Sequence, residues 1–207
     1  MPLVLSICAI SATAVLAVVL SLHFLRGKKE IVRNEVQGRV KKNIDTACAV
    51  LKKYISNFVM VPSFRAYSKK EAIEKLVELA GESLPKIVCN VAHAKESVFD
   101  REESMPTGLD NGIAVPHGRT DGVKEIAGVL ALVDNSENEN GIIPDYDTID
   151  HSKIQILSLT LIPDSINTPY LQLIAAFIRI LQDEENREQL LSCKTAEQMR
   201  EFFSSII

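Results

Sequence analysis

Pro116 constrains this chain more tightly than any other residue. It closes an apolar run and opens onto a histidine in the stretch Thr107-Gly108-Leu109-Asp110-Asn111-Gly112-Ile113-Ala114-Val115-Pro116-His117-Gly118. Proline fixes its own φ near the extended value, offers no N–H to a helix, and pushes the preceding residue toward the β region. Ile113 to Val115 must therefore arrive as a strand. Gly108 and Gly112 mark a bend before it, and Gly118 lets the chain leave at any φ and lets a neighbour approach the backbone closely. His117 is then presented on a stiff hinge at the mouth of a strand, which suits a reactive nucleophile.

The segments around this stretch alternate between helical and extended patterns. Ser68-Lys69-Lys70-Glu71 is a capping-box sequence, and Ala72, Ile73, Leu76, Val77 and Ala80 continue it as a helical face that stops at Gly81. Pro85 restarts the chain as a helix with Ile87, Val88, Val91, Ala92 and Phe99 inward and Arg101 at its end. Glu125 to Val133 and Ile154 to Ile162 read as strands, the second stopped by Pro163. Val59 to Ala66, interrupted by Pro62, reads as a break or a short edge segment. Thr168-Pro169 caps an apolar helix over Tyr170 to Leu181, Asp183 to Leu191 continues as a polar helix, and Thr195 with Gln198 caps a last one ending near Phe203. Helices interleaved with strands predict an α/β fold, with helices covering a sheet, over residues 61–207.

The N-terminal part is of another kind. Leu3 to Leu25 holds no Asp, Glu, Lys or Arg; as a helix it would measure about 34 Å, enough for a hydrocarbon core of about 30 Å. It is too long, and lacks the preceding charge, for a cleaved signal peptide. Residues 1–27 therefore read as a transmembrane anchor. Arg26, Lys28, Lys29 and Arg33 follow it, and positive charge on that flank predicts that the rest of the chain is cytoplasmic. Lys28 to Phe58 reads as one amphipathic helix, a basic spacer over residues 28–60. Val36, Val40, Ile44, Ala47, Cys48, Leu51, Ile55 and Phe58 form its apolar face, with a heptad seam too short to define a coiled coil.

Charge follows the same division. Arg26 to Lys53 carries nine basic and three acidic residues, and Tyr54 to Ile207 carries 14 basic and 24 acidic. The basic part is suited to anionic lipid head groups, and the acidic balance of the remainder excludes nucleic acid as its partner. Cys8, Cys48, Cys89 and Cys193 share no metal or redox spacing, in keeping with a reducing compartment. Asp145, Asp147 and Asp150 lack the glycine and the terminal glutamate of a calcium loop, so no metal site is expected there.

A neutral imidazole is one of the few side chains nucleophilic near neutral pH, and a hydrogen bond to one ring nitrogen decides which nitrogen attacks. If a phosphoryl group is the electrophile, the site needs donors or cations for its oxygens. Backbone amides around Gly108 to Gly112 are candidates, with Arg101 as the nearest cation in sequence.

The Ser68-Lys-Lys-Glu-Ala-Ile-Glu-Lys-Leu run, Arg101-Glu102 and the Thr107–Gly118 string resemble enzyme IIA of the fructose, mannitol and nitrogen-regulatory class of the bacterial phosphotransferase system. The resemblance spans roughly Ser63 to Ile207 and implies a mixed β-sheet flanked by helices. It implies that His117 accepts a phosphoryl group from phosphohistidine on an HPr-like carrier and passes it to an enzyme IIB cysteine, or holds it as a signal for a regulated transporter or kinase. It assigns phosphoryl support to Arg101, site lining to Thr107, Gly108, Asn111, Gly112 and Tyr170, and no metal or organic cofactor. Two features depart from the family pattern. Tyr170-Leu171 stands where a His-Leu pair usually lies close to the phosphorylated residue, and a tyrosine donates a hydrogen bond but adds no positive charge near neutral pH. The anchor is the other, and makes the expected location a bacterial inner membrane, spanned once.

Overall fold

A computed structural model of the chain describes residues 46, 48–138, 140–166 and 169–207. The Leu3–Leu25 span, the spacer up to residue 45 and the expected cap Thr168 lie outside the described residues, among which no helix is long and apolar enough to cross a membrane.

Five strands form one mixed sheet: β1 (Phe58–Phe64), β2 (Ile113–Ala114), β3 (His117–Thr120), β4 (Ala127–Val133) and β5 (Ile156–Pro163). β1 runs parallel to β4, β4 antiparallel to β5, and β2 and β3 both run parallel to β5 along its other side. Helices α1 (Lys69–Ser83) and α2 (Val91–Ser104) contribute to the core on one face of the sheet. On the other face lie α3 (Pro169–Gln182), α4 (Glu184–Ser192) and α5 (Ala196–Ile206), with Leu51 and Tyr54 from the helical segment 48–54.

The strands read as they do because alternate side chains reach opposite faces. In β4, Ala127, Val129 and Ala131 join the α1/α2 side, and Leu130 and Leu132 the α3–α5 side. β5 is buried along its whole length, with Leu157, Leu159 and Leu161 toward α1/α2 and Ile156 toward the other layer. Pro62, which sequence alone leaves as a break or an edge, lies inside β1 at the edge of the sheet, where the register with β4 slips between Val61 and Phe64. An edge is where a residue with no N–H costs the ladder least. Phe177 anchors the α3–α5 side, with ring centroids 5.0 Å from Phe58 and 5.8 Å from Phe203.

Several boundaries differ from expectation for local reasons. The spacer helix gives way to a short 3₁₀ turn at Ile55–Asn57, and Phe58 opens β1. α1 passes through Gly81 to Ser83: a Cβ at 81 would sit 2.4 Å from Val91 Cγ2, so this glycine serves helix packing, not termination. Asn90 caps α2 by accepting the His93 N–H, so the helix starts at Val91 and not near Pro85; Ala92 is exposed, with Ala94 and Val98 inward. The Thr195–Gln198 capping box is complete in both directions.

Candidate functional site

The predicted strand is split in two. β2 ends at Ala114, Val115 and Pro116 interrupt the pairing, and β3 resumes on the same neighbour, with His117 opposite Thr160. The Thr160 N–H bonds the Pro116 carbonyl at 3.0 Å, so the ladder continues up to the histidine. His117 therefore begins a strand, and does not hang from the end of one.

Its imidazole is half-buried, and Nδ1 donates to the Val115 carbonyl at 2.9 Å. A carbonyl oxygen can only accept, so Nδ1 carries the proton and the lone pair of the neutral ring lies on Nε2. Burial pushes the His117 pKa below its ordinary value, the Val115 hydrogen bond opposes this, and the nearby Arg101 charge lowers it again. The neutral, nucleophilic form is thereby favoured near neutral pH.

A cleft of about 320 Å³ opens in front of the ring, lined by Ser97, Asp100, Arg101, His117, Gly118, Arg119 and Tyr170. α2 supplies Ser97, Asp100 and Arg101, β3 supplies His117 to Arg119, and the first turn of α3 supplies Tyr170. Arg101 bonds the Met105 carbonyl at 2.7 Å, which holds the end of α2 in shape. Gly118 is needed for closeness: an added Cβ would lie 2.4 Å from Ser97 Oγ and 2.7 Å from the Val98 nitrogen, so no other residue lets β3 sit this near α2. A larger cleft, about 530 Å³, is lined by Lys69, Lys70, Phe99, Asp100, Glu103 and others between α1 and α2, and contains no nucleophile of comparable character.

Arg101, His117 and Tyr170 are thus brought together. Thr107, Gly108, Asn111 and Gly112 do not line this cleft, and they form the buttress behind it. Thr107 is 4 % exposed; its N–H and hydroxyl donate to the two oxygens of the buried Glu102 carboxylate at 3.1 and 2.6 Å. Tyr146 lies 3.3 Å from the same hydroxyl, and burial together with the Glu102 charge pushes its phenol pKa far up, so the hydroxyl stays a donor. The Thr107 carbonyl then accepts from Val115 N–H, whose own carbonyl orients His117. Asn111 and Gly112 both have positive φ, at 64° and 69°. The Asn111 amide is taken by Asp150 and that of Leu109 by the Ile113 carbonyl, so these two are engaged within the protein. A Cβ on Gly108 would fall 2.0 Å from the Asp147 carbonyl.

Two of the three spaced aspartates have backbone partners of this kind: Asp145 accepts from the Lys69 amide and Asp150 from those of Asn111 and Ser152. His151 lies in an exposed turn with φ 58°, and His93 pairs with Asp121 at 2.9 Å on the surface. Glu102 as a working residue, and Arg119 altogether, lie outside what the sequence motif points to. The signal for Arg119 was strand alternation, which puts positions 117 and 119 on one face.

Residues 55–206 match the family described as the phosphoenolpyruvate-dependent sugar phosphotransferase system, EIIA 2. The chain is 30% identical over 131 residues to a nitrogen regulatory protein of Pseudomonas aeruginosa, covering 63% of this chain and 79% of that one. It is 28% identical over 140 residues to the fructose-specific EIIA component of the phosphotransferase system in Haloferax volcanii, covering 68% and 85%. Among solved structures, the nitrogen regulatory protein IIA-Ntr of Neisseria meningitidis superposes with a TM-score of 0.59 at 26% identity, over 72% of this chain and 93% of that one.

Proposed function

The chain belongs to the EIIA 2 family of the phosphoenolpyruvate-dependent sugar phosphotransferase system, and from that membership we propose that it is a phosphocarrier whose His117 takes a phosphoryl group from phospho-HPr and yields it to an enzyme IIB cysteine. The observation that carries this reading is the Nδ1–H···O=C bond to Val115, which puts the lone pair on Nε2 at a cleft containing two arginines.

In the first step Nε2 attacks phosphorus. The N–P bond of the donor phosphohistidine breaks with its electron pair remaining on the donor ring, which keeps its own N–H and leaves neutral. His117 then carries both the phosphoryl group on Nε2 and the proton on Nδ1, and its new positive charge strengthens the bond to Val115. In the second step a thiolate forms the S–P bond, the N–P bond breaks, and His117 returns to its neutral form. Arg101 neutralises phosphoryl oxygens in both steps. Incubating the full chain with phosphoenolpyruvate, enzyme I and HPr should give an acid-labile phosphate that His117→Ala abolishes; no such phosphate on the wild type refutes the role.

A second reading draws on relatives named nitrogen regulatory protein. In it the phosphorylation state of His117 governs docking on a membrane transporter or kinase. Capture of such a partner that depends on His117, with no phosphate reaching a IIB cysteine, favours this reading. In either case the Leu3–Leu25 run is proposed to tether the domain to the cytoplasmic face of the inner membrane. Release of the full chain from membranes by alkaline carbonate refutes the tether.

A further inference from the structure

We propose that Arg119 provides the second positive wall of the phosphoryl site, and that Tyr170 acts mainly by holding Arg119 in place. The inference rests on the phosphocarrier reading. In β3 the exposure pattern alternates, with Gly118 and Thr120 buried and His117 and Arg119 on the outward side. Neighbouring same-face positions on a strand lie about 7 Å apart, within reach of an arginine side chain directed back along the strand. Both residues line the one cleft, together with Arg101 and Tyr170.

A ring and a carbonyl are among the groups that hold the Arg119 side chain. Its guanidinium lies over the Tyr170 ring, 5.7 Å from the centroid, and its Nη2 donates to the Asp164 carbonyl at 2.7 Å. Stacking and a carbonyl anchor hold a planar, permanently charged guanidinium at the wall of the cleft, where its charge acts on phosphoryl oxygens. A phosphoryl group on Nε2 carries close to two negative charges, and Arg101 alone leaves it incompletely neutralised. Asp100, also at the cleft, adds negative charge and increases the need for a second cation. The tyrosine at position 170 thus contributes a charge after all, through the arginine stacked on its ring.

The test uses the full chain phosphorylated by phospho-HPr and, separately, by phosphoramidate, which needs no protein donor. Acceptance rates are measured and the phosphoryl titration is followed by phosphorus-31 NMR. Arg119→Gln should slow acceptance at least about tenfold and raise the pH at which the phosphoryl group takes up its proton. Arg119→Lys should restore part of both. Tyr170→Phe, which keeps the ring, should stay near wild type, and Tyr170→Ala should follow Arg119→Gln. A phosphorylated wild type with an Arg119→Gln variant unchanged in rate and titration overturns the inference alone. So does a Tyr170→Phe variant as impaired as Arg119→Gln, since the hydroxyl would then be the working group. Absence of phosphohistidine in the wild type from either donor overturns the carrier reading and this inference with it.

Discussion

Thr107→Val tests the buttress behind His117 most directly. Valine has the shape of threonine, so the change deletes the hydroxyl while leaving packing nearly intact. The hydroxyl donates to the Glu102 carboxylate at 2.6 Å and lies 3.3 Å from the Tyr146 oxygen, in a place where Glu102 is 3 % exposed. A hydrogen bond to a charged group contributes about 1.5–3 kcal/mol, and an orphaned buried oxygen keeps the loss near the middle of that range, about 2 kcal/mol. With a urea m value of about 2 kcal/mol/M, the unfolding midpoint should fall by about 1 M. The companion Glu102→Gln and the double variant complete a cycle whose coupling should exceed about 0.5 kcal/mol, because the two side chains touch. Phosphoryl acceptance should also fall in Thr107→Val, since the Thr107 carbonyl holds the Val115 amide and Val115 holds His117. A midpoint shift below about 0.25 M, or strict additivity in the cycle, would refute the claim that Glu102 and Thr107 act as one unit.

The imidazoles of His117 and His93 should titrate on opposite sides of the ordinary histidine value in NMR, His117 below it through burial and His93 above it through Asp121; Asp121→Asn should bring His93 down, and the reverse order would contradict the geometry. For stability the signs differ. Between the folded His117 midpoint and about 6.5 the unfolded chain binds more protons there, so unfolding free energy rises with pH in that window, and His117→Gln should flatten the rise. His93 is exposed and makes a small contribution of the other sign, present at low pH and lost as pH rises through its folded midpoint. Gly118→Ala should slow phosphoryl acceptance and destabilise, because β3 must move away from Ser97 and Val98; wild-type stability and rate would show that the strand and helix are not in tight contact. Phe177→Ala should cost about 3–5 kcal/mol by calorimetry or urea unfolding, and a loss under about 1 kcal/mol would mean that the core closes over the vacancy.

The sheet was legible because β4 and β5 are long apolar runs with breakers at their ends; the Thr195–Gln198 capping box stands in the sequence itself, whereas at Ser68 only the serine half forms and the Glu71 carboxylate accepts from the Tyr67 amide. What escaped was set by contacts across the fold. Gly81 is a helix breaker by type, yet here it makes room for Val91, and only the packing of α1 on α2 reveals that. The motif glycines read as a phosphate cradle because glycine-rich loops often are, whereas the residues between Asp147 and Gln155 press against them from behind. Of the cleft, His117 and Arg101 were legible from the residues themselves and Tyr170 through the resemblance. Arg119 belonged to the same strand face and was missed because the strand was expected to stop at Pro116.

The strand break at Pro116 also has a consequence for motion. Sites that do chemistry are commonly drawn from segments that open easily, but the backbone at His117 is laddered to β5, the strand buried along its whole length. Its amides bonded to β5 should exchange slowly with solvent, and the proposed transfer should then need no local opening of this strand. A partner would meet a nucleophile already aimed, so the waiting time of each transfer would belong to diffusion and docking, not to any rearrangement on this side of the encounter.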